Sequence, residues 1–376
     1  MSRFWHRCQA VTEQASFAVW QARLSRNRGV QHVLPINFLR TASVAPRRRL
    51  PTQRPRVDDP QAPLKERVRV HEEREHGEDP KWKDYKRVTI LRPVLFSAAV
   101  VVASFGVASY MRAERRWEAQ EKGSIFAFDQ IFGPPPRRRM DESSALPEPI
   151  SRIKGMILHW WESARPSQQT AYAIVGINTA VFLLWRIPSL QPFMLRHFAH
   201  HPLSGRSYTL LTSVFSHESF LHLTFNMYAL LGFAPLLQER ALESSEEMVA
   251  FYLSSGVLAS LGSHLVTTLW LRRYRSPKPS VGASGAIWAI LAGCASCLPH
   301  IPVGIIFLPG IQFTLGELIP ALVGLDVIGL IRGWQFFDHA AHLTGAGVGY
   351  MYIEQGRVWW KWWQRKLDEY HRQGRI

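Results

Sequence analysis

Cysteine is scarce in this chain. Three in 376 residues (Cys8, Cys294 and Cys297) cannot build a disulfide framework. The last two have CxxC spacing, but no second CxxC completes a zinc site and both lie in an apolar run. They read as small packing residues of a buried helix. Charge is scarce over half the chain as well. Residues 170–357 carry only 19 charged side chains in 188 positions, where a soluble domain shows about a quarter. That shortage excludes a soluble two-domain enzyme and indicates a polytopic membrane domain. A third scarcity lies at the N-terminus, where residues 1–57 hold eleven arginines but no lysine and a single acid, Glu13. No continuous apolar stretch there precedes a small-residue cleavage site, which excludes a secretory signal. The Arg-rich, acid-poor composition fits an amphipathic mitochondrial presequence. Residues 58–87 mix both signs with Pro60 and Pro63 and read as a disordered polar tail. Of the net charge of +16, +9 falls within residues 1–87. Charge gathered at one end is an address or membrane-surface signal more often than a nucleic-acid site.

What is abundant is apolar sequence. Seven runs approach the roughly 20 residues of a membrane helix, at 88–110, 170–187, 210–238, 248–271, 281–298, 312–331 and 338–355. The first stands apart, behind a linker at 111–169 that contains Gly133-Pro134-Pro135-Pro136 and Arg137-Arg138-Arg139. The expected architecture is all-α and polytopic, with one leading span and a six-helix core at 170–355. Residues 356–376 follow as an interfacial tail, where Trp359, Trp360, Trp362 and Trp363 alternate with Lys361 and Arg365. An odd span count puts the termini on opposite sides. The segment 272–280 carries +4 and 239–247 carries −3, so the positive-inside bias assigns the N-terminus to the matrix and the C-terminus to the intermembrane space.

Polar groups inside such helices are expensive and are functional candidates. Gly282-Ala283-Ser284-Gly285 opens the fifth span, His339-Ala340-Ala341-His342 opens the seventh, and His217, His222 and Asn226 lie in the first half of the third. All three spans leave the same side, so these groups share one shallow depth. A serine attacks a carbonyl only when a base accepts its proton, and histidine suits that task. Ser284 is therefore the candidate nucleophile and His342 the candidate base. Gly285, Ala289 and Gly293 on one span and Gly345 and Gly349 on the other form small-residue stripes, which let the two backbones approach. His222 and Asn226, four apart, project from one helical face. With Gly282 and the Ser284 backbone N–H they form the candidate oxyanion set.

These residues carry a resemblance. Gly282-Ala283-Ser284-Gly285, Ala341-His342-Leu343-Thr344-Gly345 with Gly349, and His217-xxxx-His222-xxx-Asn226 are similar to the motifs of the rhomboid intramembrane serine proteases. The similarity covers about 170–355. The leading helix, the presequence-like tail and Gly333–His342 resemble the mitochondrial members of that family. The resemblance implies a Ser284–His342 dyad that requires no acid, oxyanion stabilisation by His222 and Asn226, and a structural place for His217. It calls for no cofactor and no metal. It implies single-pass transmembrane substrates in the lipid bilayer of the inner membrane, association with other inner-membrane proteases or scaffolds, and roles in protein processing, quality control and mitophagy. Where bacterial members carry a Tyr one turn after the nucleophile, this chain has Trp288. Where they carry a loop Trp-Arg pair, it has Tyr208-Thr209.

Two other readings compete. His217-Glu218-Ser219-Phe220-Leu221-His222 imitates the HExxH of a metalloprotease with one residue too many. Five residues turn the second histidine about 140° away from the first. The loop cluster His197, His200, His201 reads as a solvated turn rather than a zinc site. The other competitor is a transporter or an inactive membrane adaptor. Asp326 in the sixth span could serve a proton pathway or a packing hydrogen bond. No repeat between halves supports transport, and the presence of both Ser284 and His342 disfavours the adaptor.

Overall fold

The computed structural model describes residues 90–132, 148–217, 219–271, 278–304, 310 and 312–375. The presequence-like segment, the polar tail, Cys8, the proline run, Glu218 and most of the 272–280 loop lie outside the described residues. The described part is helical almost throughout, with α1 at Leu91–Phe132, α2 at Glu148–Ser163, α3 at Pro166–Leu184 and α4 at Gln191–Phe198. There follow α5 at Thr209–Thr212, α6 at Phe220–Arg240, α7 at Ser245–Leu269, α8 at Ser284–Cys297 and α9 at Leu315–Arg332. Helix α10 spans His339–Met351 and continues through a π-helical turn, Tyr352–Gly356, into α11 at Arg357–Arg372. A two-stranded antiparallel ribbon, β1 at Pro302–Gly304 with β2 at Gln312–Thr314, separates α8 from α9 and pairs Pro302 with Thr314.

Three helices are long and apolar enough to cross a bilayer: the Leu91–Lys122 part of α1, α6 and α7. The bent pair Pro166–Leu184 and Pro188–Phe198 makes a fourth if taken as one span. The bend is 95° and falls where Pro188 denies the backbone a donor. Helix α8 is apolar but shorter. Helix α1 runs well past residue 110 and takes in the first part of the segment read as linker; α2 takes in the last part.

Helix ends are set by local chemistry. Ser219 and Ser244 cap α6 and α7 by accepting the backbone N–H of His222 and Glu247. Glu317 accepts from the backbone N–H and hydroxyl of Thr314 at 2.9 and 2.8 Å, opening α9, and Gly333 closes it in the left-handed region at φ 72°. The core is formed by Met227, Leu230 and Leu237 of α6, Phe251 and Tyr252 of α7, Ile287 and Ile290 of α8, and Leu315 and Ile319 of α9.

The helix pair in most extensive contact is α8 with α10. Lipid is as apolar as leucine, so helices in a bilayer associate by close packing rather than by escaping water. The small-residue stripes provide that packing. A Cβ on Gly345 would penetrate the carbonyl of Gly285, and one on Gly349 the carbonyl of Ala289. Gly285 in turn faces α7, where its Cβ would stand 2.5 Å from that of Ala259. Gly293 meets the side chains of Leu237 and Ile353 instead of α10 backbone.

Helix α1 lies against α7. Phe96, Val100 and Val101 pack near Val257 and Leu261, while Arg112 and Arg115 reach Glu243 and Glu246 at 2.9 and 2.7 Å. The pairing is therefore antiparallel.

Candidate active site

The loop before α8 is held from two directions. His200 and Ser280 exchange backbone hydrogen bonds at 3.1 and 2.8 Å, and the Gly282 N–H donates to the Ser213 carbonyl at 3.0 Å. Gly282 has φ 135°, a backbone that favours glycine. A Cβ there would also sit 2.9 Å from His222 Cε1 and 3.0 Å from Nε2. Glycine thus lets the His222 ring lie against the chain two residues before Ser284.

Asp338 ties the other side together. As the N-cap of α10 it accepts the Ala341 N–H at 3.1 Å, and its carboxylate also accepts the hydroxyls of Ser263 at 2.6 Å and Ser280 at 2.8 Å. One side chain therefore joins the start of the histidine helix, the end of α7 and the loop leading to Ser284.

The result is that His342 Nε2 stands 3.0 Å from Ser284 Oγ. Trp288, one turn beyond the serine, lies beside the imidazole with ring centroids 5.3 Å apart. On the far side of that imidazole, Nδ1 is 3.1 Å from Asp326 Oδ2 and 3.3 Å from Oδ1. Asp326 Oδ1 also meets His339 Nδ1. All three of these groups are buried. An ionised carboxylate can only accept hydrogen bonds, so the nitrogen facing it carries the proton. Nδ1 of His342 is then the donor, and the lone pair of Nε2 is left for the serine hydroxyl. Such an arrangement can generate a nucleophilic oxygen at Ser284.

His222 and Asn226 share the first turns of α6. The Asn226 side chain is buried and one amide hydrogen is used on the His222 carbonyl at 2.9 Å. The amide has a second hydrogen to offer. His217 is buried edge-on to His222 at 5.1 Å. The sequence-derived residues thus fall into two groups: Ser284 and His342 in direct contact, and Gly282 with His222 and Asn226 beside them.

Of the loop histidines, His200 is not part of a solvated turn, while His197 and His201 are half-exposed. His200 is 3% exposed, with Nδ1 2.8 Å from Thr209 Oγ1 and Nε2 3.1 Å from His264 Nδ1. Burial and the neighbouring imidazoles of His264 and His201 push its pKa down to about 3. His197 faces the Tyr208 hydroxyl at 2.8 Å. His200 is thus a pin between its loop and α7. Its partner His264 lies 64 positions away in sequence, and no local signal reports such a contact.

The helix arrangement and this site define an all-α polytopic membrane protein of the rhomboid type. The model of the rhomboid domain matches residues 204–355. Presenilin-associated rhomboid-like protein, mitochondrial, of Mus musculus is 36% identical over 275 residues, covering 72% of this chain and 68% of that protein. The protein of the same name in Homo sapiens is 34% identical over the same shares of the two chains. Rhomboid protein 1, mitochondrial, of Saccharomyces cerevisiae is 33% identical over 214 residues, 54% of this chain and 56% of its own. The chain belongs to the rhomboid family.

Proposed function

We propose that this chain is an intramembrane serine endopeptidase of the mitochondrial inner membrane, acting on membrane-anchored proteins in or near their transmembrane segments. The observation that carries the reading is the 3.0 Å contact between Ser284 Oγ and His342 Nε2, made where α8 and α10 begin. The mitochondrial names of the relatives and the Arg-rich N-terminus support the compartment.

The reaction follows from the geometry. Ser284 Oγ attacks the scissile carbonyl carbon as its proton passes to His342 Nε2. The carbonyl oxygen becomes an anion, and the Ser284 backbone N–H, Asn226 and His222 beside Gly282 are the donors within the site's reach. Collapse of the tetrahedral species breaks the C–N bond, and His342 returns the proton to the departing amine. A water then attacks the acyl ester, again losing its proton to His342. The acid is released and Ser284 regains its hydrogen. No cofactor enters these steps.

The seven apolar segments form one leading span and a six-helix core in this reading. The active site opens to the matrix, and the Trp-rich C-terminal helix rests at the intermembrane-space surface. An inactive adaptor is disfavoured by the aligned serine and histidine. Purified full-length chain in lipid nanodiscs should cleave a transmembrane peptide and bind a fluorophosphonate at Ser284, and Ser284→Ala should do neither. Cleavage that survives in Ser284→Ala, or is lost on chelation and restored by zinc, defeats the serine mechanism.

A further inference from the structure

The family resemblance implies a dyad with no acid, yet a carboxylate stands behind the histidine. Asp326 lies in the middle of α9, a helix whose other exposed and half-buried positions are nearly all apolar. A carboxylate in such a place is costly unless it is fully hydrogen-bonded. Here it has two imidazole donors, His342 from one side and His339 from the other. Both donors come from the start of α10, three residues apart, so they project from one face. Gly329, one turn after Asp326, makes room for the second donor. A Cβ there would stand 2.5 Å from Cε1 and Nε2 of the His339 ring.

We propose that Asp326 is a positioning residue for the reaction, holding His342 in the tautomer and orientation that a base toward Ser284 requires. The proposal rests on the serine-protease reading above. His339 steadies the carboxylate so that its other oxygen faces His342. During attack the serine proton moves to Nε2 alone. The Nδ1 proton stays on the imidazole, and the Asp326 carboxylate stabilises the imidazolium without becoming protonated. The chain of contacts thus runs His339, Asp326, His342, Ser284, and links α9 to the reaction although α9 supplies neither the nucleophile nor the base.

This arrangement is distinct from a packing hydrogen bond in a testable way. A packing role predicts that the shape of the side chain matters and its charge does not. Asparagine has nearly the shape of aspartate, but its amide can donate to Nδ1 and so hold the proton of His342 on Nε2, where it blocks the base.

The test compares wild type with Asp326→Asn, Asp326→Glu and Ser284→Ala in nanodiscs, reading kcat and KM separately on a transmembrane peptide together with the rate of fluorophosphonate labelling. In the serine-protease triad, the equivalent change lowers kcat by about 10⁴. Asp326→Asn is expected to lower kcat and labelling by about 10²–10⁴ on that precedent, with KM little changed and with an unaltered melting temperature. Asp326→Glu should recover a substantial part of the loss. Wild-type kcat in a folded Asp326→Asn overturns the proposal, as does equal loss in the Glu and Asn variants.

Nitrogen-15 histidine spectra of the wild type decide the matter independently should the Asn variant fail to fold. His342 should carry its proton on Nδ1, and a dominant Nε2–H form overturns the assignment. If Ser284→Ala cleaves like wild type, the protease reading itself falls. If only the Asp326 variants behave like wild type, that reading stands and the positioning role is lost.

Discussion

At the scale of single residues, Ser284 meets His342, and His342 in turn meets Asp326, which also meets His339. In the proposed mechanism Ser284 and His342 act as one unit, so Ser284→Ala and His342→Ala should each abolish cleavage and the double variant should be no worse than either. Additive losses in the kinetics of the three would show that the two groups act separately. The proposed oxyanion donors differ from the dyad, since in this mechanism their hydrogen bonds strengthen as charge develops. Asn226→Ala should lower kcat with little change in KM, by about 10²–10³ if it matches a single donor in soluble proteases. Redundancy with His222 would reduce that figure. Full turnover in the double variant Asn226→Ala, His222→Ala would remove both from the mechanism. Those candidates were legible in the sequence because GxSG, HxxxN and the His342 helix are patterns within a few residues. Asp326 was visible as a lone membrane carboxylate, but its partner was not. The 16 positions to His342 span a helix end, a turn and a new helix, and only the rotation of α9 decides what its side chain meets.

At the scale of elements, close approach of α8 and α10 sets the serine–histidine distance. Gly345→Val would drive a side chain into the Gly285 carbonyl, separating the helices. Overpacking of this kind destabilises by about 1–3 kcal/mol, and cleavage should fall further than stability, because a small displacement breaks the 3.0 Å contact. Gly347 has open space around it, so Gly347→Ala should be neutral or stabilising by up to about 1 kcal/mol. Melting temperature and turnover measured side by side on the two variants test this, and equal behaviour would argue against the stripe.

The segment that pairs with the loop before Ser284 has its own dependence on pH. His200 is neutral when folded, with its pKa pushed from 6.5 to about 3. Between those values the unfolded chain takes up a proton that the folded chain refuses. Stability is therefore complete above about 6.5 and falls as pH drops through the window, by at most about 1.4 kcal/mol per pH unit for one group. Melting curves of wild type and His200→Asn from pH 7 to pH 4 should diverge in slope, the variant being flatter. Parallel curves would mean that other groups dominate.

At the scale of the whole molecule, the leading helix is part of the membrane domain rather than a tether. Its upper half packs on α7, and the arginines of its second half meet the acids at 239–247. Those acids also face Arg357 and Lys361, and Glu247 receives the Tyr352 hydroxyl at 2.9 Å. Arg116 and Trp117 both reach Asp368 of α11, at 3.0 and 3.1 Å. The negative segment that entered the orientation argument is thus matched by cations of α1 and α11. Because α1 runs antiparallel to α7, and α7 ends next to the loop that precedes Ser284, the start of α1 lies on the active-site side. In mitoplasts of a chain freed of native cysteines, an impermeant thiol reagent should label Arg372→Cys and spare Lys278→Cys. Labelling of the second site would reverse the proposed orientation, and labelling of both would indicate mixed topology.

By itself the sequence determined that this is a polytopic helical protein whose first apolar helix is set apart along the chain, and which serine, histidine and asparagine to watch. Hydropathy and i, i+4 spacing are local quantities, and a membrane leaves helices few alternatives. Tertiary structure decided the rest. It brought Asp326 and His339 behind the base, made Asp338 the junction of three elements, and turned one histidine of a loop, His200, into a buried pin. Each of these depends on how one helix is rotated against another. Small residues permit that rotation, but their spacing does not specify which distant polar group it will deliver.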